Sequence, residues 1–285
     1  ITISASPAPY GGRYPSANLY YNGVWYVGTY ACDEPYLNWS IVGPFGGFSV
    51  STDNGATWTP SPWGVTPGVN TMFPDPAYMD GPVKLGTPHF VDFGQNMQYS
   101  PDGKAYLICH GATEPEGEDR QANDSWSTGD QVYMLRVTPS VQNINNPAAW
   151  EFYAGTDGNG NPQWSSTFAD IRPLMEWDNN MGCVTMTYDV PLGKYLTFIT
   201  DGGNTISQMN TYVLESDSIT GPFRLVTYMP NFGVQAYFVN VPSKFISADG
   251  MTMWLCYSNN YTQPPLEYNP PDMGYHLNLC EIRLL

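Results

Sequence analysis

Charge is scarce in this chain. Only 13% of its 285 residues are Asp, Glu, Lys or Arg, and 10 basic residues stand against 26 acidic ones, a formal charge of −16. Nucleic acid and anionic membrane surfaces need a basic face, so both are poor partners, and cations or neutral polymers fit better. Long apolar runs are also missing. None approaches the roughly 18 residues that span a bilayer, and no membrane insertion is expected. The five cysteines, Cys32, Cys109, Cys183, Cys256 and Cys280, show no CxxC spacing, which argues against a zinc site. Their odd number leaves at least one unpaired or open to an intermolecular disulfide and self-assembly. No segment holds a helical period for about a dozen residues. A starting Met and a leader are absent, and Ile1 lies in strand-like sequence, as in a processed or truncated chain.

What is abundant points one way. Aromatic residues make up 15% of the chain, with 28 Gly and 26 Pro, the profile of many short strands joined by turns. Residues 86 to 111, GTPHFVDFGQNMQYSPDGKAYLICHG, read as strand, turn, strand, and three relatives occur at 18 to 32, 183 to 200 and 237 to 258. Further strand-like runs follow each: FGGFSV and ATWTP, QVYMLRV and AWEFYAG, NTYVLES and PFRLVTYM, then YHLNLCEIRLL. Antiparallel four-stranded units repeated along a chain predict an all-β fold, a β-propeller with four recognisable blades at about 17–60, 86–155, 181–229 and 236–285. The blades form one domain, and the ring is closed by residues 1 to 6 or by sequence preceding them.

Ser51–Trp58, Ser100–Gly103 and Ser247–Gly250 share a Ser-x-Asp turn pattern. Asp accepts backbone bonds there and Gly takes positive φ, so these aspartates are turn residues. In TDGNGNP, Asp157, Asn159 and Asn161 have the alternating oxygens of a calcium loop without its closing Glu, so an ordinary turn is favoured over a structural Ca2+ site. No cofactor is required by anything in the sequence.

With strands alternating in direction, the start of each inner strand, the end of the second strand and the long loops share one face. The loops at 33–47, 61–86, 111–130, 156–180, 201–209 and 259–273 belong there, and long loops converging at one face are where ligands bind. His89 begins an inner strand, while Asp33, His110, Asp201 and Asn259 follow the second strands at matching positions. Folding the hairpin back on itself sets His89 beside His110. Five of the nine tryptophans, Trp39, Trp63, Trp126, Trp164 and Trp177, fall in the same loops, and flat rings suit stacking on sugars. Two readings stand for each residue: His89, His110, Asp33 and Asp201 act chemically or hold the rim together, and the tryptophans hold sugar or pin their loops. Asp92 either lines the channel or is a buried structural residue. Sequons at Asn38, Asn123 and Asn260 suit a secreted glycoprotein.

At 86 to 111, and again at ITGPFRLVTYM and QAYFVNVPSKFISADGMTMWLCYS, the chain resembles secreted propeller proteins similar to rhamnosyl-glucuronate lyases and propeller glycosidases acting on plant gums. The Ser-x-Asp turns resemble the Asp-box of sialidases. The resemblance implies extracellular cleavage of a glycosidic linkage in a plant- or algal-type polysaccharide. A lyase would use His89 and His110 as base and acid, with Arg172 or Arg120 neutralising a uronate. A hydrolase would set two carboxylates across the bond, for which Asp33 and Asp201 are the best pair. A charge of −16 opposes a polyanionic ligand. Trp39, Trp126, Trp177, Arg172 and Asn259 are the expected substrate contacts. The competing class is a non-catalytic propeller that binds glycans or builds a surface assembly.

Overall fold

The computed structural model describes residues 12–32, 45–64, 70–75, 83–111, 127, 129–177, 180–201, 209–233, 235–259 and 276–284. Asp33, Glu34, Asn38, Trp39, Arg120, Asn123, Trp126 and Asn260 lie outside them.

Among the described residues, sixteen strands fall into four antiparallel sheets. The first holds β1 (Gly12–Tyr21), β2 (Val24–Cys32) and β3 (Phe48–Ser51). The second runs through β4 (Gly86–Phe90), β5 (Ala105–Gly111), β6 (Gln131–Val137), β7 (Trp150–Thr156) and β8 (Pro162–Ser165), with β9 (Met175–Glu176) paired to β6. The third is β10 (Gly182–Asp189), β11 (Lys194–Asp201), β12 (Asn210–Ser216) and β13 (Arg224–Met229). The fourth is β14 (Tyr237–Asn240), β15 (Thr252–Ser258) and β16 (Leu277–Arg283). Each opens with its inner strand, and β1 packs on β4, β4 on β10 and β10 on β14. This is the blade succession of a β-propeller, the all-β fold expected from the repeats.

Three element assignments change. ATWTP contributes only a single bridge, Val50 to Thr59, because the prolines at 60 and 62 remove the donors a longer ladder needs. The second blade gains β8, so Trp164 sits on a strand, packed against Tyr106 and Tyr153 with Arg136 4.0 Å above its ring. It is not a loop tryptophan. The first blade begins before residue 17, since its inner strand β1 starts at Gly12.

Strand alternation explains the packing. On β11, Leu196 and Phe198 turn toward the fourth blade and join Val213, Val239, Met253 and Leu255 in one cluster. Tyr195 and Ile199 turn the other way, into the cluster of Phe93, Tyr106 and Leu107. A blade buried on both faces is apolar at most positions, with buried threonines such as Thr185, Thr187 and Thr197 among the exceptions.

Every inner strand carries the same irregularity. Register slips by one residue after Ser16, Gly86, Gly182 and Tyr237, which pair with Gly28, His110, Thr200 and Ser258. The next residues, Ala17, Thr87, Cys183 and Phe238, have φ of 29°, 39°, 41° and 49°. These are β-bulges at equivalent places in four blades, formed without glycine, and a β-branched residue such as Thr87 rarely takes this conformation. Side chains beside two bulges tie neighbouring blades: the Ser16 hydroxyl donates to the Pro88 carbonyl, and that of Thr185 to the Val239 carbonyl at 2.7 Å.

The Ser-x-Asp turns close on themselves. Asp53 accepts from the Thr57 amide, the Thr57 hydroxyl and the Ser51 hydroxyl at 2.6–2.8 Å, and these bonds hold its pKa down to about 2. Asp249 accepts from the Ser247 hydroxyl and the Met251 amide. Asp157 is likewise taken up by the Asn159 amide and by the backbone and side-chain amides of Asn161.

Candidate functional site

The four bulges set the register of the long-loop rim. Counting from the bulge partners, the residues one step further along each second strand are Thr29, Gly111, Asp201 and Asn259. Asp201 and Asn259 are therefore equivalent, as expected, but His110 is one residue early, and Thr29 occupies the place assigned to Asp33. Because side chains alternate across a strand, one step moves a residue to the other face of its blade. The predicted constellation divides among different seams.

His89 lies near the axis. Its Nδ1 donates to the Thr87 carbonyl at 2.8 Å, which leaves Nε2 as the acceptor, and its ring stands 4.7 Å from that of Phe238 in the fourth blade. Burial pushes its pKa down to about 4 against the pull of that carbonyl, so the imidazole is neutral at physiological pH. His89 shares a small recess of about 210 Å³ with Asp92, Thr185, Thr187 and Asn240. Asp92 is a clasp there. Its Oδ2 accepts from the Ser243 amide at 2.7 Å and its Oδ1 from the Ser243 hydroxyl at 2.8 Å, joining the second and fourth blades. Its backbone bonds to Met186 and Tyr188 of the third.

His110 does not stand opposite His89. It pairs with Gly86, whereas His89, three residues further along β4, pairs with Ile108. Thr87 links them: its carbonyl holds His89 and its hydroxyl meets His110 Nδ1 at 2.8 Å. The His110 ring is 2% exposed and packs between two glycines, since a Cβ on Gly86 or Gly129 would sit 3.1 Å from it. Gly129 accepts from the Met181 amide, placing His110 on the seam between the second and third blades.

The same seam holds Asp201 and Trp177. Asp201, 8% exposed, ends β11 and accepts from the Asn210 side chain at 3.3 Å. Trp177, 48% exposed, is fixed by its amide to the Asp130 carbonyl, and its ring stands 4.9 Å from that of Tyr212. The Tyr212 hydroxyl bonds to Asn180. Burial, then the nearby Asp201 charge, pushes its pKa up to about 12, so it remains a proton donor. An exposed indole, a phenol, an amide and a carboxylate thus meet on the long-loop face.

Arg172 and Asn259 are elsewhere. Arg172 is exposed and acts on half-buried Lys84 and on Tyr133, Lys84 acts on Asp75, and the Asp75 charge reaches Tyr133 and Cys109. Asp75, 7% exposed, accepts from the Lys84 and Leu85 amides, and burial pushes its pKa up to about 6. Asn259 is 0% exposed and accepts from the Asn278 side chain. Trp63 pins its own loop by donating to the Asn145 carbonyl. Among the described residues, no group of three or more His, Cys, Asp or Glu is arranged to hold a metal, and no helix is long and apolar enough to cross a membrane. The thiols of Cys109, Cys256 and Cys280 are free.

Sequence reasoning missed Thr87, Tyr212, Asn180 and Asp75. Thr87 and Asp75 owe their roles to backbone geometry, which leaves no pattern in residue types. Tyr212 had a signal in the alternation of NTYVLES.

No protein-family model matches the chain, and no curated protein matches it. Several solved structures are similar at low identity. A Bacteroides ovatus protein described as a hydrolase shares 14% identity over 94% of this chain and 60% of its own, with a TM-score of 0.45. A family 117 glycoside hydrolase of the marine bacterium Zobellia galactanivorans shares 14% over 95% of this chain and 69% of its own, at 0.43. An α-L-arabinofuranosidase of Podospora anserina, solved with cellotriose, shares 13% over 98% and 93%, at 0.38. The chain thus spans about three fifths of the first of these, and at such scores the likenesses fix neither a family nor an activity.

Proposed function

We propose that this chain is an extracellular carbohydrate-active propeller that binds a polysaccharide on its long-loop face and cleaves a glycosidic linkage there. The observation that carries this is the Trp177 platform: an indole 48% exposed, braced by Tyr212, beside Asp201 and Asn180. A sugar ring offers an apolar face to stack on an indole and hydroxyls to bond to amides and carboxylates, and these groups meet both needs. Hydrolysis is favoured over elimination. A lyase base works best with a pKa near neutrality, whereas burial holds His89 near 4. Asp201, whose charge acts on Tyr212 of the platform, is assigned to the reaction. The test is binding and turnover on a panel of neutral and uronate-containing oligosaccharides, comparing the wild type with Trp177→Ala. The expected result is binding that weakens about tenfold in the variant, the value of a lost aromatic stack. Equal binding by both proteins would overturn the assignment of the platform.

The near-complete burial of His110 and Asp201 favours a second reading, a glycan-binding propeller without catalysis. Binding that depends on Trp177 with no product from any substrate would select it.

A further inference from the structure

The axis has a second end. On the short-turn face, the turns after β4, β10 and β14 enclose a recess of about 330 Å³ lined by Gln95, Gln98, Tyr99, Tyr188, Lys244 and Ser247. The Asp92–Ser243 clasp separates it from the recess around His89. Its size is at the lower end of small-molecule sites, which start near ~300 Å³, and a junction of several blades is a usual place for one.

Its chemistry is specific. Tyr99 is 41% exposed, and its ring centre lies 6.4 Å from that of Tyr188 with 47° between the planes, so the two rings form the walls of an open wedge. The side-chain amides of Gln95 and Gln98, both exposed, make no hydrogen bond among the described residues, and neither do the two tyrosine hydroxyls. Among the described residues the lining holds no carboxylate and one cation, Lys244, whose ammonium is 4.9 Å from the Phe245 ring centre. The turn that presents the glutamines is held in an unusual shape. Asn96 and Met97 have φ of 56° and 55°, two successive non-glycine residues in the left-handed region. Such a conformation persists only where its surroundings enforce it, and it recurs at ligand-holding loops. Here Asn96 is bonded to the backbone and side chain of Asn22 in the first blade, and Met97 is buried. Gln95 and Gln98 therefore stand on a fixed base, with little ordering left for a ligand to impose.

We propose that this recess is a second carbohydrate-binding site, separate from the long-loop face, which takes one neutral sugar unit of a polysaccharide. The aromatic wedge receives the apolar face of the ring, and the two amides, each both donor and acceptor, bond to its hydroxyls. An uncharged lining with a preoccupied lysine suits a neutral ring better than a uronate. The site anchors a chain without cutting it, because among the described residues no carboxylate or imidazole lines it.

The experiment follows the side-chain amide resonances of Gln95 and Gln98 by ¹H–¹⁵N NMR, identified by their loss in Gln95→Ala and Gln98→Ala. Xylan, arabinan and galactan oligosaccharides are titrated in, with an oligouronate as the charged counterpart. Because the long-loop face enters only through Trp177, the titration is repeated in Trp177→Ala, which separates failure of this site from failure of that one. At least one neutral oligosaccharide should shift both amides saturably in the wild type and in Trp177→Ala, and Tyr99→Ala should weaken that response about tenfold. Amides that do not move with any neutral sugar, that respond only to the oligouronate, or that lose their response in Trp177→Ala would each overturn the proposal. Tyr99 is exposed, so its variant keeps the fold, which the remaining spectrum verifies.

Discussion

Replacing Asp75 by Asn should stabilise the protein at neutral pH and do little in acid. Asp75 is 7% exposed, and its carboxylate accepts from the Leu85 amide at 2.9 Å and the Lys84 amide at 3.1 Å. Burial pushes its pKa up to about 6, outweighing those two bonds and the nearby Lys84 charge. The folded state therefore holds its proton more tightly than the unfolded chain, where the carboxyl titrates near 3.8. Its stability contribution is full below that value and is lost as pH rises through about 6. A shift of about two units corresponds to about 3 kcal/mol between the two ends of the window. Asparagine keeps the oxygen that accepts from Leu85 and has no charge to desolvate. Urea unfolding at intervals from pH 4 to pH 8 measures the difference. Asp75→Asn should match the wild type or fall slightly below it at pH 4, then exceed it by up to about 3 kcal/mol at pH 8. A difference independent of pH, or one that turns against the variant as pH rises, would refute the reasoning.

Further outcomes follow from the same geometry. His89, held down to about 4 by burial, should show an NMR titration midpoint near pH 4, and the stability it contributes above its unfolded value of 6.5 should drain away as pH falls toward that midpoint; a midpoint near 6.5 would contradict its placement. Asp92→Ala removes the carboxylate that holds Ser243 and should cost about 2–4 kcal/mol in urea unfolding, the value of charge-assisted bonds lost from a half-buried site; a loss under about 0.5 kcal/mol would mean the clasp is incidental. Gly86→Ala puts a Cβ 2.7 Å from the His110 carbonyl and should destabilise by about 1–3 kcal/mol, with a disturbed His110 resonance. An unchanged melt and spectrum would show that the ring is not wedged there.

Much of the fold was legible in residue order, and the reason is chemical. A strand that must alternate, a turn that needs Gly after Asp, and a repeat that reuses both leave marks that survive irregular spacing, as at Asn22-Gly23, Asp102-Gly103 and Asp249-Gly250. The face of the loops was legible as well, since strand direction decides it. The side of the blade was not. That depends on one inserted residue per inner strand, and Ala17, Thr87, Cys183 and Phe238 carry no common signature because a surrounding sheet, not a glycine, holds their positive φ. His110 was accordingly set one step away from its actual register, and Asp33 was aligned where Thr29 stands. Asp75 stayed invisible for a related reason: its partners are backbone amides, which every sequence possesses. Trp177 could be found because an aromatic in a long loop is informative by itself, but its partner Tyr212 lies on a strand and emerged only when the third blade was folded beside the second.

The central claim is that a glycan is cut on the long-loop face beside Trp177 and Asp201. The most direct measurement is product formation by the wild type and by Asp201→Asn on a panel of gum, algal and plant polysaccharides, reading new reducing ends together with the absorbance of unsaturated uronate. New reducing ends without that absorbance, lost in a folded Asp201→Asn, are the predicted result. Unsaturated uronate from the wild type, or full activity in Asp201→Asn, would contradict it.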